Sequence, residues 1–87
     1  MKVLMKPIEM IAWFTNDGYP IPLRYRLTDE NMSNIVISVN KILFKEEEKI
    51  AGNRMVLYRC ESVINHTLKL FELKYEIGTC KWFLFKM

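Results

Sequence analysis

Residues 67–87 read TLKLFELKYEIGTCKWFLFKM and form the densest apolar and aromatic stretch of the chain. Apolar and charged residues alternate without a break over residues 71–76, and this period of two indicates a strand with one buried face. Residues 77–79 include a glycine that can turn the chain tightly. The returning run, residues 80–85, is apolar on both faces except at Lys81. The stretch therefore predicts a terminal β-hairpin on which the earlier strands pack.

Four further segments upstream have the composition of strands. Alternating or β-branched residues favour strand over helix. In the third segment the alternation slips near Asn40-Lys41, which predicts a bulge or a strong bend. Asn16-Asp17-Gly18 is the strongest hairpin signal, because these residues tolerate left-handed backbone conformations. The four predicted strands cover residues 8–14, 21–27, 34–43 and 54–64.

The predicted fold is all-β, a meander of six antiparallel strands in a single domain over residues 1–87. A twisted sheet of this size removes its edges by curling, so we expect a small barrel or a strongly curled sheet. An open sheet that pairs with a second copy is the alternative. Residues 45–51 are the only stretch with helical character, and one short helical turn is predicted there, ended by Gly52-Asn53. Residues 1–6 are expected to be irregular or disordered.

Alternation also predicts which side chains form the core. One face of each strand should turn inward and the other outward. The predicted core residues are Leu23, Tyr25, Ile37, Val39, Tyr58, Leu73 and Tyr75.

Composition bounds the class of protein. With 51% hydrophobic and 26% charged residues the chain is expected to be globular rather than disordered. A net charge of +3 is compatible with nucleic acid but does not require it. Cys60 and Cys80 are too few for a disulfide framework and are predicted to be reduced thiols. The sequence has no signal-peptide pattern and no apolar stretch of membrane length, so a cytoplasmic location and no membrane partner are expected.

No pattern in the sequence indicates catalysis. Three scattered glycines do not form a phosphate-binding loop, and there is no Cys/His cluster of metal-ligand spacing. His66, the only histidine, fits a turn, and Glu46 to Glu48 fit a solvated segment. We therefore predict a non-catalytic protein with no cofactor, no metal and no small-molecule substrate.

Apolar residues left over on the outward faces indicate an interaction surface. Ile11, Trp13, Met55 and Leu57 fall opposite the predicted core set, and Phe83 and Phe85 lie on a strand that is apolar on both faces. Contiguous exposed apolar residues mark interfaces. The sequence thus predicts an interaction or assembly module that binds itself as a homodimer or another protein. Alternatively, residues 45–53 fold over this set and cover it.

A nucleic-acid-binding module is the second hypothesis. Arg24, Arg26 and Arg59 are predicted to point outward, and Trp13 on a neighbouring strand offers a surface on which a base could stack. The alternative for these arginines is an ordinary solvated strand face.

The order of these features resembles a family of short bacterial β-rich proteins and domains of unknown function. That family shows a PxRFRW opening, a V..VL pair, a YRV strand and a YEL…RWFL ending. Leu27 replaces an aromatic residue of the family pattern, and Cys80-Lys81 replaces its Gly-Arg pair. Some members are encoded near translesion DNA polymerases, so the resemblance implies at most a nucleic-acid neighbourhood and no activity. The matching residues are Asp17-Gly18, residues 22–27, Val39, Ile42-Leu43, residues 57–60, residues 71–76 and residues 81–86.

Overall fold

The chain forms one antiparallel sheet. The computed structural model describes residues 1–16 and 18–87, and in that part of the chain the sheet has seven strands and no helix. The all-β, antiparallel prediction is confirmed, with seven strands in place of six. Asp17, part of the predicted hairpin turn, lies outside the described residues. The strands are β1 (Val3–Trp13), β2 (Ile21–Thr28), β3 (Asn34–Ser38), β4 (Lys41–Ile50), β5 (Asn53–Ile64), β6 (Thr67–Glu76) and β7 (Lys81–Lys86).

The terminal hairpin lies in the middle of the sheet. The strand order is β3-β2-β1-β7-β6-β5-β4, so β7 is the central strand with β6 beside it. Strands that follow one another in sequence are neighbours, except β3 and β4, and β1 pairs with β7, which joins the two ends of the chain. The hairpin therefore holds both halves of the sheet, as its apolar composition predicted.

The seventh strand results from a sharp bend in a predicted strand. β3 and β4 lie at opposite edges of the order, yet only Val39 and Asn40 separate them. Six antiparallel pairings lie between them, so β3 and β4 run in the same direction. Residues 34–50 thus behave as one long bent strand that pairs with β2 before the bend and with β5 after it. The predicted bend at Asn40-Lys41 is confirmed, and it gives the sheet its strongly curled, barrel-like shape.

At the bend, hydrogen bonds that involve side chains, rather than a strand ladder, join residues 38–40 to β5. Ser62 on β5 donates a hydrogen bond from Oγ to the Ser38 carbonyl at 2.6 Å and accepts one from the Asn40 amide at 3.2 Å. The Val63 amide donates to Asn40 Oδ1 at 2.7 Å. These groups satisfy the backbone where the chain leaves one edge of the sheet for the other.

The predicted helical turn at residues 45–51 is wrong. These residues continue β4, pairing from Lys45 with Tyr58 to Ile50 with Asn53. Ala51 and Gly52 then turn the chain with φ of 51° and 84°, two positive values that match the twist of a hairpin. An isolated helix of seven residues is marginal in water, whereas the β5 ladder supplies backbone hydrogen bonds along the whole segment.

The prediction that residues 1–6 are irregular or disordered is wrong as to disorder, whereas a local irregularity is present in this segment. β1 begins at Val3, and Lys2 and Met87 exchange backbone hydrogen bonds of 2.9 and 3.1 Å. Pairing with β7 orders this segment, with an irregularity between Val3 and Lys6 where Met5 takes a φ of 44°. The two ends of the chain order each other, a long-range contact that composition does not reveal.

The core fills the concave face of the sheet. Five of the seven predicted core residues are buried and Val39 packs partly buried against them. Leu23 is 44% exposed, so its predicted burial is wrong. Ile11 pairs with Arg24 but Ala12 pairs with Pro22, which makes Leu23 the extra residue of a bulge. The buried cluster is Tyr25, Ile37, Val56, Tyr58, Cys60, Phe71, Leu73, Tyr75, Trp82 and Leu84.

Candidate interaction surface

Exposed apolar residues converge on the convex face of β1, β2 and β3. Ile11 lies opposite Arg24, which lies opposite Ser38; Glu9, Arg26 and Val36 form the next row. Trp13 extends the same face of β1. Three of its apolar side chains are more than half exposed: Ile11 at 54%, Trp13 at 60% and Val36 at 58%. We call Ile11, Trp13, Arg24, Arg26 and Val36 the β1–β3 outer face.

The charges of the β1–β3 outer face are unevenly neutralised. Arg26 donates from Nε and Nη2 to Glu9 Oε1 at 3.0 and 2.7 Å. Arg24 makes no salt bridge within the described part of the chain. A cleft of about 430 Å³ lies between these groups, lined also by Ile11 and Val36. The face thus combines apolar contact area with one uncompensated guanidinium.

The other predicted interface residues lie elsewhere. Met55 is buried, and Leu57, Phe83 and Phe85 are half-buried on the outer face of β5 and β7. Lys74 of β6 is paired with Leu57 on one side and Phe83 on the other, and its Nζ lies over the Phe85 ring. Lys74 thus lies among three of these side chains, and all four are on strands other than β1, which carries Ile11 and Trp13.

Residues 45–53 cover only part of the predicted surface. Glu48 lies opposite Met55 and Glu46 opposite Leu57, because β4 pairs with β5. In the strand order β4 lies four places from β1, the strand that carries Trp13, and the Trp13 side chain is 60% exposed. An intramolecular cover for Trp13 is therefore wrong.

The three candidate arginines do not form one patch. Arg59 on β5 contacts Glu72 from Nη2 and from Nε, each at 2.9 Å, and lies over the Phe44 ring at 5.9 Å. Arg24 and Arg26 lie together on β2, but Glu9 neutralises Arg26. Only Arg24 adds positive charge to the face that carries Trp13, and the predicted three-arginine surface is reduced to that residue.

β1, the strand that carries Ile11 and Trp13, also borders a gap in the sheet. The pairing of β1 with β7 ends at Ile8 and Trp82, whereas β1 continues to Trp13. In the described residues no strand pairs with this edge of β1 from Glu9 to Trp13. A cleft of about 740 Å³ opens here, lined by Met10, Ala12 and Phe14 on one side and by Cys80, Lys81 and Trp82 on the other. We call it the β1 gap.

Sequence reasoning missed the β1 gap. Its only sequence signal is the unequal length of the two apolar runs, which matters only once β1 and β7 are known to pair. That pairing joins residues more than seventy positions apart, and no local pattern encodes it.

Burial and hydrogen bonds shift the pKa values of three side chains in the core and at the end of β6. Burial raises the pKa of the Cys60 thiol to about 12, so this cysteine stays protonated at neutral pH. A hydrogen bond with Cys80, together with burial, raises the pKa of Tyr75 to about 12. Hydrogen bonds from Thr79 and Asn53 lower the pKa of Glu76. Among the described residues, no three His, Cys, Asp or Glu side chains lie close enough to hold a metal ion.

The comparisons with known proteins bring no relative. No family model matches the chain, and neither a curated protein nor a solved structure does. The resemblance to the short bacterial β-rich family stays a prediction. No helix among the described residues is long and apolar enough to cross a membrane.

Proposed function

We propose that this protein is a non-catalytic interaction module that associates with itself through β1 and the adjoining β1–β3 outer face. One observation carries the proposal: Ile11 and Trp13 lie on the same face of one strand and are 54% and 60% exposed. Large exposed apolar groups on one contiguous surface mark interaction sites.

The chemistry of the surface supports a protein partner. Tryptophan and arginine are the residues most enriched among those that dominate binding energy at interfaces. Trp13 and Arg24 provide one of each on this face, with Ile11 paired directly to Arg24. Burying a whole apolar side chain of this size contributes about 1.5–3 kcal/mol, so burying the exposed half of Ile11 or Trp13 contributes about half of that. Two or three such side chains per copy would stabilise a small domain whose core is limited by its length.

The mass of the purified chain in solution tests this proposal. Sedimentation analysis should give a dimer for the natural sequence and a folded monomer for Trp13→Lys, because a lysine at this position cannot be buried against a second copy without cost. Met32→Lys is the matched control. Met32 is 81% exposed in the β2–β3 connection, away from the outer face, so this variant should remain a dimer.

Two results would contradict the proposal. One is a natural chain that stays monomeric at high micromolar concentration. The other is a Trp13→Lys variant with unchanged mass and unchanged thermal midpoint, since Trp13 would then contact nothing.

Nucleic-acid binding is a second candidate, favoured by the presence of Trp13 and Arg24 on the same face of the sheet. An aromatic ring beside a guanidinium can stack a base while the charge contacts a phosphate. Fluorescence anisotropy with single-stranded and duplex DNA should then show binding that weakens steeply with salt. Arg24→Gln should weaken it, whereas Arg59→Gln should not, because Glu72 already neutralises Arg59. Absence of binding at low salt would remove this candidate.

A further inference from the structure

We infer that self-association occurs by strand addition, with β1 of a second copy entering the β1 gap antiparallel to β1 across a two-fold axis at Ile11. The inference rests on the proposed self-association and specifies its geometry. Four observations lead to it: an unpaired backbone edge, exposed side chains beside it, an apolar cleft, and a segment whose charges tolerate self-pairing.

The backbone of β1 presents hydrogen-bonding groups to the gap. The Val39 amide donates to the Leu23 carbonyl at 2.9 Å, so Leu23 and, by alternation, Tyr25 direct their backbone groups toward β3. Arg24 and Arg26 then face β1, and their partners Ile11 and Glu9 face β2.

Met10 and Ala12, which alternate with Glu9 and Ile11, therefore direct their N–H and C=O groups into the β1 gap. This edge offers two donors and two acceptors that no strand of the described chain uses. An added strand would pair with them in the way that extended segments extend the edges of sheets.

The missing neighbour also explains the exposure of Ile11 and Trp13. A strand side chain is flanked on its own face by residues of both adjacent strands. On the β2 side, Ile11 has Arg24 and Trp13 has Ile21, but on the other side β7 does not reach this far. A strand in the β1 gap would flank Ile11 and Trp13, and its opposite face would meet the apolar cleft that Phe14 and Trp82 line.

The charge pattern of residues 9–13 permits pairing with a second copy. Centred on Ile11, the pairing sets Met10 opposite the second copy's Ala12, so that the four gap-facing backbone groups of each copy meet. Ile11 lies opposite the second copy's Ile11. Beyond this core of the ladder, the second copy's Trp13 comes next to Lys81, the β7 residue that follows Trp82 in the register toward Glu9. Glu9 is the only charged residue of the segment, and Arg26 neutralises it.

The other long edge of the sheet lacks this property. β4 carries Lys45, Glu46, Glu47, Glu48 and Lys49 in succession, so an antiparallel self-pairing centred in this run sets like charges opposite each other. Charges on an edge strand are a common protection against such pairing. Compared with the β4 edge, the β1 edge at the gap is therefore the one suited to a second copy.

A charge exchange at the two-fold axis tests the inference. Ile11→Lys and Ile11→Glu should each be folded monomers, because each sets like charges opposite one another across the axis. An equimolar mixture of the two should give a heterodimer of the natural mass in sedimentation. Val63→Lys is the matched control, since Val63 is a β-branched outward residue that is 62% exposed on β5, and this variant should stay dimeric.

Amide hydrogen exchange supplies the second readout. In the dimer, exchange at Met10 and Ala12 should be at least about tenfold slower than in monomeric Ile11→Lys, and this slowing should exceed that at core amides such as that of Leu73, which report only the change in global stability. A natural dimer whose Lys/Glu mixture stays monomeric, or whose Met10 and Ala12 amides stay unprotected, overturns strand addition but leaves self-association standing. A natural chain that is monomeric overturns both.

Discussion

Lys74 Nζ lies 3.8 Å from the centre of the Phe85 ring and 3.2 Å from Glu48 Oε1, on the convex side of the sheet. The Lys74 side chain is only 9% exposed, although it points away from the core. Its methylene groups pack among Leu57, Phe83 and Phe85, while the ammonium group meets a ring face and a carboxylate. A charged residue thus covers an apolar patch that would otherwise be open to water.

This packing predicts that the stem of Lys74 matters more than its charge. Lys74→Met combined with Glu48→Gln keeps the stem and leaves no unpaired buried carboxylate, so the free energy of unfolding should change by less than about 1 kcal/mol. Lys74→Ala combined with Glu48→Gln also removes three buried methylenes at about 0.8 kcal/mol each and should cost about 2 kcal/mol. Urea denaturation of the three proteins measures both values. Equal losses in the two variants would show that the ion contacts dominate.

Leu73, with no exposed surface, tests the alternation on β6. Leu73→Ala should lower the free energy of unfolding by about 2–4 kcal/mol, since it leaves a cavity in the core. Leu70→Ala on the same strand is the matched control, because Leu70 is 48% exposed and should lose less than about 1 kcal/mol. A loss below half a kcal/mol at Leu73 would mean that its assigned face is wrong.

Ser62 tests the junction between β3 and β4. Ser62→Ala leaves the Ser38 carbonyl and the Asn40 amide without their side-chain partner and should cost about 1–3 kcal/mol. The Asn40 amide should also exchange hydrogen faster. Ser38→Ala is the control: only the backbone carbonyl of Ser38 takes part in the junction, so this variant should be close to neutral. Slow exchange at Asn40 in Ser62→Ala would show that the bend is held by other contacts.

Buried acids of the core predict loss of stability at alkaline pH. Burial raises the pKa of Cys60 to about 12 and also raises the pKa values of Tyr25 and Tyr58. In the unfolded chain the pKa is about 8.5 for the thiol and about 10 for the phenols. The contribution of these groups to the free energy of unfolding is therefore fully present below about pH 8.5. It falls as the pH rises toward the folded pKa values, by up to about 1.4 kcal/mol per pH unit for each group.

Denaturation midpoints measured from pH 7 to 11 check this prediction. Cys60→Ala lacks the thiol, so the decline of its stability should begin about 1.5 pH units higher, near the pKa of tyrosine in the unfolded chain. The comparison concerns the onset of the decline and not the absolute stability, which the substitution also changes. A natural chain whose stability is flat up to pH 10 would contradict the burial of the thiol.

Local patterns were sufficient to assign the inward face of most strands. The alternation of residues 71–76 assigned Leu73 and Tyr75 to the core, and both are buried, although neighbouring strands also bury Glu72 and Lys74 on the opposite face. The slip near Asn40 marked the bend. Such inferences succeed because side chains alternate strictly along a strand, so a periodic sequence specifies which face is buried.

The candidate surface was predicted only in part. Ile11, Trp13 and Arg24 were predicted to point outward, but Ile11 and Arg24 belonged to two separate functional hypotheses. The fold brings all three onto one face. Met55 was assigned to the same surface because parity places it outward, and neighbouring strands bury it. The position of a residue in the alternation gives the direction of its side chain, whereas the exposed fraction of that side chain depends on the residues of the adjacent strands.

By itself the sequence determined the all-β class, the terminal hairpin and the inward face of most strands, since these depend on spacing within a few residues. The tertiary structure decided that β1 pairs with β7, that residues 45–50 are a strand, and that Leu23 leaves the core at a bulge. Each depends on backbone hydrogen bonds to a segment distant along the chain or on the register between two strands. These long-range pairings also leave β1 longer than its partner, and the gap beside Ile11 and Trp13 follows from that difference in length.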